Sequence, residues 1–405
     1  MRLLLDQLPE LLVEQRPLPR PGDPAPGLSL ARRQPRRGDR RASGRAGGPV
    51  PPLSLPHDHE LRERLPQGPV ARQGDRGDQE DGSRAHRLIA RAALALLLAA
   101  IAVPAAAQEA KPVAPGIWLI EGGYEPGRQP DGNSVLIEGP AGLLLVDTGR
   151  HASHVAKIEA AITARGKPLV RIVNTHWHLD HVSGNLTLRG KHPGMRVSAS
   201  DAIDGALTGF LKRSAESARP TLDAGKIPEP MASEVRGDLA TFERGTELRP
   251  DDVVRRNGTI DAGGRKIELR LARNAATAGD VWLYDPQSSI LVAGDLVTNP
   301  VPFLDTACPD GWLKALEEVA ATPFATLIPG HGAPMDRPAF DAWKQRFIGF
   351  LDCARGKEKA TYCADRWQDW SVGGTPPADK LRVLAMIPYY VERIRSGELD
   401  KNCPK

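Results

Sequence analysis

Aromatic residues are scarce in this chain and absent from its first quarter: all 19 lie at Trp118 or later. Residues 1–83 also lack Ile, Cys, Lys, Thr and Asn, and they hold 13 of the 37 prolines. So little bulky apolar surface cannot offset the entropy of ordering, which makes this stretch a disordered leader. An uninterrupted apolar run of the roughly 20 residues that a membrane-spanning helix needs is missing as well. A basic body is a third absence. Residues 1–107 carry 17 basic and 12 acidic side chains, whereas residues 108–405 carry 37 and 38. The basic excess therefore belongs to the leader, and nothing in the balanced remainder marks a nucleic-acid surface.

Arg84, Arg87 and Arg91 precede the apolar run Ala92–Val103, followed by Pro104-Ala105-Ala106-Ala107-Gln108. A positive flank, a short apolar stretch and small residues form the layout of a secretory signal at 84–107, with cleavage near Gln108. A signal begins a chain, so translation is expected to start shortly before Arg84, with residues 1 to about 80 an over-extended reading frame. The rival is a cytoplasmic tail ahead of a signal-anchor. The expected mature protein, 108–405, is periplasmic or secreted and keeps no stable membrane span. Four cysteines fit export as structural disulfides. Cys353 and Cys363 could close a small loop, but the three pairings open to Cys308, Cys353, Cys363 and Cys403 cannot be ranked by spacing.

From Gly116 the pattern becomes β-rich. Strands are predicted at 117–120, 134–137, 143–146 and 170–173, and again at 266–271, 281–284, 290–293 and 325–328. Helices are predicted at 152–165, stopped by Gly166, and at about 310–321 and 337–353. Two groups of strands with helices between them predict an α/β sandwich forming one catalytic domain at 108–355, with a helical extension at 356–405. An insertion at about 202–250 reads as a helix followed by a surface loop rich in Pro, Gly and charge; a lid over the substrate is the alternative.

The strongest chemical signal is Thr175-His176-Trp177-His178-Leu179-Asp180-His181, running directly out of a strand. Three imidazoles and a carboxylate in six residues suit zinc, with iron or manganese as alternatives. Asp147, Asp295 and His331 each end an apolar run beside glycine, in Val146-Asp147-Thr148-Gly149, Val292-Ala293-Gly294-Asp295 and Pro329-Gly330-His331-Gly332. His151 and His154 read as part of a helix start, although His151 could reach the metal edge. His192 reads as a surface residue, and Trp177 as packing or pocket lining.

In this order the motifs resemble the metallo-β-lactamase superfamily over about residues 115–350. The resemblance implies an αββα four-layer sandwich with metals at one edge of two facing sheets. It implies His176 and His178 at a first metal, Asp180, His181 and His331 at a second, Asp295 bridging both, and Asp147 supporting them from behind. Asp180 is the expected catalytic residue. A carboxylate at 295 is similar to the hydroxyacylglutathione hydrolase-like branch.

One position departs from that pattern. Where the family carries a third first-metal histidine, four residues before an Asp, this chain has Ala276 in Ala276-Thr277-Ala278-Gly279-Asp280. There is no histidine between His192 and His331 to replace it, and a methyl group cannot coordinate. The expectation is one tightly bound Zn2+ at a complete site and a weaker second ion, with water or Asn274 as the other way to complete the partial site. The expected function is hydrolysis of an ester, thioester or amide in a small-molecule substrate by metal-activated water. The alternative is a metal-binding, catalytically degraded relative. Nucleic-acid processing fits the charge balance poorly.

Overall fold

A computed structural model describes residues 110–124, 127–369 and 377–404. The leader at 1–83, the signal at 84–107 and the cleavage point near Gln108 lie outside the described residues.

Four strands open the body as an antiparallel meander: β1 (Ala110–Ala114), β2 (Ile117–Ile120), β3 (Ser134–Glu138) and β4 (Leu143–Val146). β1 is not evident in the sequence, because Ala-Lys-Pro-Val-Ala is only weakly apolar. It forms the edge of its sheet, where a proline can sit without breaking a ladder. The centre of β3, Val135–Ile137, and all of β4 are apolar because both of their faces are covered. Leu144 and Val146 face the second sheet, while Leu143 and Leu145 pack on helix α1 (Ala152–Arg165) through Val155, Ile158 and Ile162. Gly166 ends α1 at φ 62°, a left-handed stop.

β5 (Leu169–Val173), α2 (Leu179–Val182), α3 (Asn185–Lys191) and β6 (Arg196–Ala199) follow, with β5 and β6 parallel to β4. The 202–250 segment then differs from expectation. It folds as three helices, α4 (Ala202–Thr208), α5 (Phe210–Asp223) and α6 (Met231–Glu243), not as one helix and a loop. Met231, Val235 and Leu239 recur every four residues and bury against Ala215 and Ala218 of α5. Of the prolines that suggest a loop, Pro220 sits within α5, and Pro228 and Pro230 lie just before α6, Pro230 at its N-cap. The short β7 (Asp252–Val253) completes a seven-stranded sheet in the order β1 to β7.

β8 (Gly258–Ala262), β9 (Arg265–Arg273), β10 (Gly279–Asp285), β11 (Ile290–Thr298) and β12 (Thr326–His331) form the second sheet in the order β12-β11-β10-β9-β8. Alternation divides its side chains between two layers. Val281, Leu283, Ile290, Val292 and Ile328 meet the first sheet. Trp282, Tyr284, Leu291, Ala293 and Leu327 pack outward on helices α7 (Pro309–Ala321), α8 (Arg337–Arg355), α9 (Ala360–Asp369) and α10 (Pro377–Arg395). Helix, sheet, sheet and helix form the four-layer αββα sandwich.

The C-terminal helices share the core of the second half. Trp367 of α9 and Val383, Ile387 and Tyr390 of α10 join Trp312, Phe347 and Phe350 in one buried cluster. Disulfides join Cys308 to Cys403 and Cys353 to Cys363. Among the described residues no helix is long and apolar enough to cross a membrane.

Candidate metal centre

The candidate ligands stand where strands end. β4 runs into Asp147, β5 into Thr175 and His176, and β12 ends on His331, while Asp295 lies within β11. Two glycines let these strands close together. Gly294 has φ 53°, and a Cβ there would lie 2.6 Å from Thr175 Cβ. A Cβ on Gly330 would lie 2.0 Å from Asp295 Oδ1. A side chain at 330 would therefore push aside the carboxylate that the site needs.

Two buried groups of ligand atoms result, each with its atoms within 4.8 Å of one another. Asp180, His181 and His331 form one, and His176, His181 and Asp295 the other. His331 Nε2 lies 3.2 Å from Asp180 Oδ2 and 3.6 Å from Asp295 Oδ1. His181 Nε2 lies 3.4 Å from Asp295 Oδ1 and 3.3 Å from His331 Nε2. His176 Nε2 is 3.7 Å from Asp295 Oδ2. His178 falls in neither group: its Nδ1 is 2.9 Å from His176 Nε2, and its Nε2 is 3.0 Å from Thr306 Oγ1.

The surroundings fit a cation. Asp295 Oδ1 is buried without a hydrogen-bond partner, a costly state for a carboxylate unless an ion completes it. Asp147, held at φ 58°, takes Thr175 N–H on Oδ1 at 2.7 Å. Its Oδ2 accepts from the Thr175 hydroxyl at 2.7 Å and from His181 Nδ1 at 2.8 Å. That last bond turns Nε2 of His181 toward Asp295 and His331, and against burial the carboxylates of Asp295, Asp147 and Asp180 raise the pKa of His181 well above its ordinary value. Thr175 has spent its only proton on Asp147, so its oxygen can only accept from His176 Nδ1, 2.9 Å away. The lone pair of His176 Nε2 then faces inward, which is the orientation of a metal-ligating imidazole.

Charge follows the same logic. Burial drives His176 well below its ordinary pKa and His178 down to about 3, so both stay neutral and able to ligate. Burial opposes ionisation of Asp180, but His181, His331 and Arg150 hold it well below the usual carboxylate range. Asp295 is held down to about 2 against burial by His331 and His181.

Helix α6 is fastened beside this centre. Arg150 Nη2 lies 3.7 Å from Asp180 Oδ1, and Arg150 Nη1 pairs with Asp238 of α6. His151 is bonded through Nδ1 to Asp131 Oδ2 and through Nε2 to Glu234 Oε2 of α6, each at 2.7 Å. His151 is thus occupied on both ring nitrogens and stands outside the two ligand groups. His154 bonds Ser134 Oγ at 2.9 Å, and His192 bonds Glu159 at 2.8 Å.

The His151 clamp has a pH signature. Its bond to Asp131 raises the pKa, burial opposes this, and Glu234 adds to the rise. A raised folded-state pKa gives stability that is complete below the unfolded value near 6.5 and is lost as pH rises through the folded value. Thermal denaturation from pH 5.5 to 9 will show this decline in the wild type and a flatter profile in His151→Gln. Identical profiles would exclude a titrating clamp.

The family model that matches the chain is the metallo-β-lactamase superfamily, over residues 127–331. The chain belongs to that superfamily. Its relatives include a linear primary-alkylsulfatase from a Pseudomonas species, 26% identical over 274 residues, covering 63% of this chain and 50% of that protein. A hydroxyacylglutathione hydrolase from a Synechococcus species is 28% identical over 164 residues, covering 40% of this chain and 49% of that protein. The chain therefore spans about half the length of these two curated relatives. Among solved structures, a metallo-β-lactamase from Pontibacter korlensis aligns with 58% of this chain and 98% of its own, at TM-score 0.43 and 20% identity.

Within this superfamily member, Ala276 is 1% exposed, and its carbonyl accepts from Thr306 Oγ1 at 3.0 Å. Asp280 caps the same turn by accepting from Thr277 N–H and Oγ1, both at 2.9 Å; burial pushes its pKa up to about 7. Sequence reasoning missed Arg150, Asp131, Glu234, Asp238 and Thr306. None carries a signal of its own, because each acquires meaning only through a partner at least 19 residues away. Thr175 could have been found, since a hydroxyl directly before the first ligand is placed to orient it.

Proposed function

We propose that the chain is a metal-dependent hydrolase with one complete cation site and one partial site. The complete site comprises Asp180, His181, Asp295 and His331; the partial site comprises His176, His178 and Asp295. The single observation that carries this reading is the buried Asp295 Oδ1, without a hydrogen-bond partner and facing the Nε2 atoms of His181 and His331 at 3.4 and 3.6 Å. A divalent cation, zinc first on this donor set, supplies Lewis acidity and a hydroxide nucleophile near neutral pH.

The chain's own residues do the rest. Asp147 fixes the ring orientation of His181, and Thr175 fixes the tautomer of His176, before anything binds. Asp180 remains a carboxylate beside Arg150 and can accept a hydrogen bond from the attacking nucleophile, orienting it. Arg150 and His151 keep α6 against the site. An ester-type substrate is supported by the names of the relatives, which include sulfate-ester and thioester hydrolases. An extracytoplasmic location is supported by the two disulfides.

The test is a screen of carboxylic esters, thioesters, alkyl sulfates and β-lactams, with and without a chelator. Turnover that a chelator abolishes and zinc restores is the expected result. Ala276 favours the second reading, a scaffold that binds metal without turnover. That reading prevails if zinc binds stoichiometrically and every substrate class stays inert.

A further inference from the structure

We infer that Thr306 is a positioning residue that sets the tautomer of His178 and so aims its Nδ1 at the partial cation site, the position weakened by Ala276. This rests on the reading of the site as a metal centre.

The inference follows from counting protons. Thr306 Oγ1 has one hydrogen, and the Ala276 carbonyl, 3.0 Å away, can only accept it. The second bond of that oxygen, 3.0 Å from His178 Nε2, must then be received from the ring. Nε2 carries the proton, and Nδ1 is left bare. Nδ1 lies 2.9 Å from His176 Nε2, which the chain Asp147–Thr175–His176 leaves bare in the same way. Two lone pairs at that separation repel unless a cation lies between them. The hydroxyl thus anchors the peptide at Ala276 and orients one of the two histidines that remain at the partial site.

Thr306 is itself held from the C-terminus. The neighbouring Asp305 accepts from Tyr389 OH at 3.0 Å and lies 3.3 Å from Arg393 Nε, both on α10. Asn402 Nδ2 donates to the carbonyls of Asp305 and Ala307, at 3.2 and 3.1 Å. Cys308 is joined to Cys403. Phe303, on the same loop, stacks edge-on with His178 at 5.1 Å. The loop after β11 is thus pinned on both sides of Thr306, which gives its hydroxyl a fixed address.

The test compares wild type, Thr306→Val and Thr306→Ser as full chains labelled with 15N-histidine, stripped by chelator and then titrated with zinc. Long-range 15N–1H spectra report the tautomer, and calorimetry reports affinity. In the stripped wild type and Thr306→Ser, His178 is expected as the Nε2–H form. Thr306→Val is expected to mix tautomers and to bind the weaker equivalent about 10–100-fold less tightly, while the tighter equivalent is unchanged. A wild-type tautomer in Thr306→Val overturns the inference, as does an equal loss in Val and Ser. Since the tautomer is read without metal or substrate, a hydrolytically inert protein leaves this outcome intact.

Discussion

An Asp295→Ala variant will lose both cations and, with them, more than about 100-fold of any hydrolytic activity. Outer partners of metal ligands alone are worth about 10–100-fold, and Asp295 is a candidate ligand at both of the proposed sites. Its Oδ1 stands 3.4 Å from His181 Nε2 and 3.6 Å from His331 Nε2, and its Oδ2 stands 3.7 Å from His176 Nε2. No other described carboxylate approaches His176 as closely. Removing it leaves imidazoles alone at the partial site. A stability readout separates this from misfolding. A cation at a hundredfold excess over its Kd stabilises a protein by about 2.7 kcal/mol, which corresponds to a rise in Tm of roughly 4–5 °C for a domain of this size. The wild type should show that rise on zinc addition and Asp295→Ala should not, the two having similar Tm values after chelation. A full zinc-induced rise in the variant would remove Asp295 from the centre.

The variant works as a test because so much of this centre was already legible in the sequence. An apolar run that stops on Asp or His near a glycine is a strand delivering a ligand type to its end, and Asp147 and His331 obey that rule, while His176 follows its strand after two polar residues. The layers were legible for a related reason. Strands β3 and β4 are apolar at consecutive positions, which only a sheet covered on both faces requires, and α1 carries one apolar stripe closed by Gly166. The second half of the insertion was not legible, because its prolines and charges outweighed the four-residue repeat of Met231, Val235 and Leu239. Nor was the direction of any imidazole. Which nitrogen of His178 carries a proton depends on Thr306, 128 residues away, and on a loop held by α10 and a disulfide. Ligand types are a local property of sequence; their tautomers and spacings belong to the tertiary fold.

That division sets the expectation for Ala276→His, which supplies the missing ligand type but not the fold around it. In the wild type, zinc analysis should find one tight equivalent per chain and a weaker second; two equally tight ions would refute the partial site. In the variant, a third imidazole joins His176 and His178, and the weaker equivalent should tighten by at least about tenfold, the same scale as the loss of an outer partner. The substitution also has a cost. Ala276 is 1% exposed and packed in the apolar cluster with Ala272, Ala275, Leu304 and Ala307. Overfilling such a site destabilises by about 1–3 kcal/mol, so the chelated variant should melt below the chelated wild type. Zinc should then recover part or all of that deficit, because the new ligand contributes only when the ion is bound. The discriminating result is the sign of the zinc-induced change in Tm relative to wild type. A larger rise in Ala276→His means that the imidazole reaches the ion. An equal or smaller rise means that the turn fixed by Thr277, Asp280 and Thr306 holds position 276 away from it, and that the partial site was built around alanine.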